Sequence, residues 1–141
     1  MVALAERLRA RSPDDAGALH IVAIIGEVHA QVLGDLGRFA ESFAAGERVT
    51  AAHRQLVALA GDAPGARRSM GVALRTRGGN HYNGGDYAGA CRIWFEALAM
   101  FTQLDREGQL TATDRSNGVP ELKKLTASSC NPSRAGAGAE V

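Results

Sequence analysis

The sequence predicts an all-α fold, and three features of its 141 residues carry that prediction. Apolar residues make up 45% of the chain but aromatics only 5%, a balance that suits helices packed closely through alanine rather than a β-sandwich built on branched and aromatic side chains. Apolar residues recur at helical spacing in four successive segments. Glycine-rich breaks, "LGDLG", "GDAPG" and "GGNHYNGG", separate those segments. About four main helices with short terminal helices result.

The amino-terminal "MVALAERLRARS" reads as a short amphipathic helix, with Leu4 and Leu8 on one side and Glu6, Arg7 and Arg9 on the other. A first main helix begins in "SPDDAG", where Ser12 is a cap candidate, Pro13 fits the first helical position, and Asp14 and Asp15 suit the exposed amides of a helix start. Its apolar face is Ile21, Ile25, Val28 and Val32. A second helix starts near Arg38 and carries Phe39, Phe43, Gly46, Val49, His53, Leu56 and Ala60 along one stripe. Pro64 opens a third, expected to end at Asn80, with Met70, Ala73 and Leu74 as its apolar positions and Arg67, Arg68, Arg75 and Arg77 around them. The fourth has the fullest stripe: Ala90, Ile93, Trp94, Ala97, Leu98, Phe101 and Leu104. Residues 120–125 suggest one more short helix, and residues 128–141, small and polar, suggest a flexible tail.

Shifting the sequence by 48 residues lays Gly37, Phe39 and Ala40 on Gly85, Tyr87 and Ala88, and Ala51, Gln55 and Leu56 on Ala99, Gln103 and Leu104. Two units follow, about 13–61 and 64–110, each a helix, a glycine turn and a longer helix, within a domain of residues 1–127. "GGDYAGACRIWFEAL" resembles the second half of a tetratricopeptide repeat, through Gly78, Gly85, Asp86, Tyr87, Ala90, Trp94, Ala97 and Leu98; Gly37, Phe39 and Phe43 carry a weaker copy. The 48-residue period is similar to that of a long-period variant found in multi-repeat bacterial proteins. The resemblance implies antiparallel helix pairs stacked as a short α-solenoid. It also implies a concave groove lined by the first helix of each unit, which would hold Glu27, Gln31, Arg75, Tyr82 and Asn83. Gly79 stands where the two-carboxylate clamp of some members needs an asparagine, so that specificity is not implied. Two units leave repeat ends to cover, which predicts either the C-terminal part of a larger multi-repeat protein or self-association.

"GGNHYNGGDYAGA" does not fit a phosphate loop: a helix precedes its glycines, their spacing is not GxGxxG, and no lysine followed by serine or threonine is present. Its expected role is an interhelix turn in which a glycine ends one helix in the left-handed conformation and Asp86 caps the next. His20, His29, His53 and His81 stand apart from one another and from cysteine, so no metal spacing is visible and no cofactor is implied. His53 occupies the place of Phe101 in the next unit, which suggests a partly buried, hydrogen-bonded histidine. Cys91 has no evident partner base and Cys130 falls in the expected tail, so neither a nucleophile nor a disulfide framework is read.

Sixteen basic residues against 15 acidic ones give no net field for nucleic acid. The apolar run "IVAII" is far shorter than the ~20 residues a spanning helix needs, so no membrane role is expected. The cysteine usage fits a reducing cytoplasm. The expected function is non-catalytic: a protein-protein interaction or scaffolding module whose partner is a protein or peptide, with the arginines favouring an acidic one. The alternative is a small helical enzyme, or a small-molecule or anion binder, with a polar site around His81, Tyr82, Asp86 and Arg75.

Overall fold

A computed structural model describes residues 2–11 and 15–130, and these are helical, with no strand among them. The order is α1 (Val2–Arg11), α2 (Ala16–Asp35), α3 (Phe39–Leu59), α4 (Pro64–Asn83), α5 (Tyr87–Arg106), a π-helical turn (Asp114–Gly118) and α6 (Val119–Ser129). α2 packs with α3 and α4 with α5; α3 then packs on α4, α1 on α2, and α6 on α5. The fold is all-α and solenoid-like, as expected.

The two pairs share one turn geometry. Gly37 and Gly85 have φ of +74° and +82°, and in each turn the glycine amide and the next amide bond back to carbonyls three and five residues earlier. Only glycine adopts this left-handed conformation at no steric cost. Asp86 caps α5 by accepting from the Gly89 amide at 2.9 Å. At α2 the capping side chain is Asp15, which accepts from Gly17 and Ala18; the expected cap at Ser12 lies outside the described residues.

Three expectations about element bounds are corrected. α4 runs through Gly78, Gly79 and Asn80 to Asn83 rather than ending at Asn80. Gly78 is buried inside the helix because the Trp94 indole lies against its backbone, donating Nε1–H to the Arg75 carbonyl at 2.9 Å. The last helical path starts at Ala112, not near Pro120: the Thr111 hydroxyl accepts from the Asp114 amide, and the wider π turn, with Val119 bonded to the Asp114 carbonyl, precedes the proline that cannot donate. Ala16, Pro64 and Ala112 therefore begin helices 48 residues apart.

The path also extends through the first residues of the expected tail. Ser129 is fully buried, and Cys130 is joined by a disulfide to Cys91 on α5. The buried hydroxyls of Thr126 and Ser129 bond to the Leu122 and Leu125 carbonyls, so neither polar group is left unsatisfied where the helix packs. The expectation of two unconnected thiols is overturned, and the argument for a reducing compartment loses its premise. Residues 131–141 lie outside the described residues.

The main core is α5's stripe: Ile93, Trp94, Ala97, Phe101 and Leu104 are buried with Met70 and Leu74 of α4 and Leu122 of α6. α2 behaves differently. It buries Ala18, Leu19, Ala23, Ala30 and Leu33, while Ile21, Val28 and Val32, expected on its packed face, are exposed. Small residues let α3 approach closely: a Cβ on Gly26 would fall 2.6 Å from Val49. α2 is also, by length and composition, apolar enough to cross a membrane, with 28% of its most apolar 18 residues buried, which the short run "IVAII" does not suggest.

Candidate interaction face

The first helices α2 and α4 flank an open cleft floored by α3. One part, of about 240 Å³, is lined by His20, His53, Leu56, Leu59, Ala66 and Ser69. A second part, of about 190 Å³, shares His20, His53 and Ser69 and adds Ile24, Glu27 and Val72. The first part is lined mainly by apolar residues, whereas the second sets Ala23, Ile24 and Val72 among His20, Glu27, His53, Arg68 and Ser69.

His53 is held there by Glu27, whose Oε1 lies 3.0 Å from Nε2. A carboxylate only accepts, so Nε2 carries the proton and the ring's orientation is set. The expected partly buried histidine is thus present, and Glu27 serves it rather than an incoming ligand.

The structure does not bring the five expected groove residues together as one set. Gln31 is on the exposed side of α2 and donates to Asp35 at 2.9 Å. Arg75 reaches across to Glu121 of α6 at 2.8 Å. Tyr82 turns to α5, stacking edge-on with Tyr87 at 4.9 Å and lying 5.7 Å from the Trp94 ring. Asn83 is exposed at the end of α4. The cleft residues missed by sequence reasoning are Ile24 and Val72; the 48-residue shift that pairs Glu27 with Arg75 pairs these two as well.

The arginines of α4 are neutralised by distant acids. Arg68 makes a two-point contact with Asp114 at 2.5 and 3.1 Å, and Arg67 pairs with Glu107 at 2.6 Å. The Arg68 hydrogen bond outweighs burial and holds the Asp114 carboxyl below its ordinary range. Arg77 is buried over Gly46, donating to Thr50 at 3.1 Å, and burial lowers its pKa. Each of these arginines is thus engaged by a group of this chain, with Arg68 and Arg75 still partly exposed.

His81, Tyr82, Asp86 and Arg75, the residues of the alternative polar site, project toward different helices. His81 faces α3, stacked on Phe43 with centroids 3.9 Å apart and planes 8° apart. Its Nδ1 donates to Asp86 at 2.7 Å, and Nε2 is buried without a partner. Burial lowers the His81 pKa against the opposing pull of Asp86, so the ring is neutral. Burial would raise the Asp86 carboxyl, but the bonds from His81 and the Gly89 amide outweigh it and hold it low. Among the described residues no group of three histidine, cysteine or acidic side chains is placed to hold a metal ion. Compared with protein-family profiles, curated proteins and solved structures, the chain matches none.

Proposed function

We propose that the chain is a tetratricopeptide-like interaction module that takes a segment of a protein partner in the cleft between α2 and α4. The observation that carries this reading is the cleft itself: an open channel between helices that begin one 48-residue period apart, apolar around Leu56 and Leu59 and with Ile24 and Val72 exposed on its walls. Preformed concave sites with apolar walls and a few oriented polar groups are where proteins bind ligands. The pairing of Arg75 with Glu121 and of Arg68 with Asp114 shifts the expected partner from an acidic peptide to one presenting a bulky apolar side chain. Helix-in-groove recognition supplies this through apolar anchors at i and i+3 or i+4.

A display selection of random peptides tests the reading. The folded protein should enrich sequences sharing one or two large apolar anchors, and Ser69→Trp, which fills the cleft from an exposed position, should weaken their binding at least ~10-fold. Enriched peptides whose binding ignores Ser69→Trp, or no enrichment at all, would refute it.

A further inference from the structure

Among the described residues, the large exposed apolar side chains outside the cleft lie mostly on α1 and α2. Ile21, Val28 and Val32 are 42%, 60% and 47% exposed, and their spacing of i, i+7 and i+11 puts them in one row along α2. Leu36, 65% exposed, extends the row into the turn. On α1, Leu4 and Leu8 stand one turn apart and are also exposed. α1 packs on α2, with Val2, Ala5 and Glu6 facing Val22, Ile25, Gly26 and His29 across a small cavity.

One period later Ile21 and Val28 become Ser69 and Thr76, which are exposed and polar, so α2 shows large apolar residues to solvent where α4 shows polar ones. The positions of Val32 and Leu36 become Asn80 and Gly84, and these are covered by α3: Asn80 is buried, and a Cβ on Gly84 would lie 2.8 Å from Phe43 and 2.9 Å from Phe39. α3 has 21 residues, whereas α1, which packs on α2 as α3 does on α4, has 10. The described α1 reaches along less of α2 than α3 does along α4, and Val32 and Leu36 are large and apolar where Asn80 and Gly84 are polar or small.

We infer that a second copy of this chain covers the face, α2 against α2 in antiparallel orientation about a twofold axis near Val28. Three observations select that occupant. The six side chains expose on the order of 500 Å² of apolar surface, so two copies bury ~1,000 Å², the size a specific interface has to clear. The row is nearly symmetric about Val28, with Ile21 seven residues before it and Leu36 eight after, so an antiparallel partner meets apolar with apolar. The ends differ in charge: Arg7 and Arg11 of α1 outnumber the capping Asp15 before α2, and at its far end Asp35 stands exposed while Arg38 is paired with Glu41. A twofold axis sets each basic end against the acidic end of the other copy and opposes the helix dipoles favourably. The interface leaves Ser69 and Val72 on the far side of the cleft, so it is separate from the peptide site.

Light scattering on the full chain across a concentration series, with three variants, tests the inference. The protein should elute at twice its 14.8 kDa chain mass. Val28→Asp, at an exposed site, should halve that mass with its far-UV spectrum unchanged, and Ser69→Trp should keep the dimer. Arg11→Glu should shift the dimer toward monomer, and Arg11→Glu combined with Asp35→Lys should restore it. A monomer at every concentration overturns the inference, as does a dimer that survives Val28→Asp. A monomer that floats with phosphatidylcholine vesicles and loses this with Val28→Asp gives the face to lipid, and also overturns it.

Discussion

Gly78→Ala probes the contact that joins α4 to α5. A Cβ at Gly78 would fall 2.8 Å from Cε2 of Trp94 and closer still to Nε1 and Cδ1. Trp94 is buried and its Nε1–H is committed to the Arg75 carbonyl, so the ring cannot retreat without giving up that bond. Overpacking a tight core costs about 1–3 kcal/mol, and a lost buried hydrogen bond about 1 kcal/mol more. Alanine returns about 1 kcal/mol through helix propensity. The balance is a net loss of ~1–3 kcal/mol, or a fall of roughly 3–10 °C in Tm for a chain of this size.

The assay is urea denaturation followed by far-UV circular dichroism, because Trp94 is the single tryptophan and fluorescence would vanish in the companion variant. That companion is Trp94→Leu, which removes the ring and the clash together. In its background Gly78→Ala should be neutral, or stabilising by up to ~1 kcal/mol, giving a coupling of about 1–3 kcal/mol between the two sites. Equal or greater stability of Gly78→Ala with Trp94 in place would show that the indole does not lie on the Gly78 backbone.

Two further outcomes are expected. Burial lowers the His81 pKa, so on acidification the unfolded chain takes up that proton first; the group's stabilisation is complete above about pH 6.5 and is lost as pH falls from there through the depressed folded value. Asp86, held low by His81 and the Gly89 amide, adds a separate loss below the carboxylate range. His81→Gln should flatten the decline between pH 7 and 5 and keep the lower one; equal slopes in that upper window would refute the assignment. Reducing the Cys91–Cys130 bridge, which closes a separation of 39 residues, should cost about 2–4 kcal/mol. Hydrogen exchange should quicken first in α6, and uniform exchange with and without reductant would contradict its role as the tether of that helix.

α5 was legible because its large residues fall on the face that packs, so the stripe from Ala90 to Leu104 marks the core directly. α2 misleads for the opposite reason: its contact with α3 is made by Leu19 and Leu33 among the small Ala23, Gly26 and Ala30, while Ile21, Val28 and Val32 at helical spacing face solvent. Gly78 and Gly79 look like a helix end to any local reading, since only the distant Trp94 explains a glycine within α4. The ion pairs of Arg68 and Arg75 are not legible locally, because Asp114 and Glu121 lie 46 residues further on and the helix suggested at residues 120–125 leaves out Asp114. Its first turns hide before Pro120, whose missing donor is accommodated by the π turn there. Cys130 was assigned to a tail for the same reason: serine and threonine have poor helix propensity until their hydroxyls find carbonyls one turn back.

The two ends of the stack are finished differently, and the difference bears on what kind of assembly can form. Beyond α5, the path from Ala112 to Ser129 is bound by Arg68–Asp114, Arg75–Glu121 and Arg115–Asp105 ion pairs, by Leu122 in the core, and by the disulfide. Lys123, Lys124 and Ser128 are exposed along it, and no large apolar side chain is. The side of α1 and α2 has the reverse character, with Leu4, Val28 and Leu36 in solvent. Head-to-tail stacking, which builds filaments from repeat proteins, would have to press that apolar row against lysines. Burying those ammonium groups without partners costs more than the apolar contact returns. An apolar face at one end and a polar one at the other therefore favour the apolar row meeting its own copy, and a twofold contact of that kind closes after two chains.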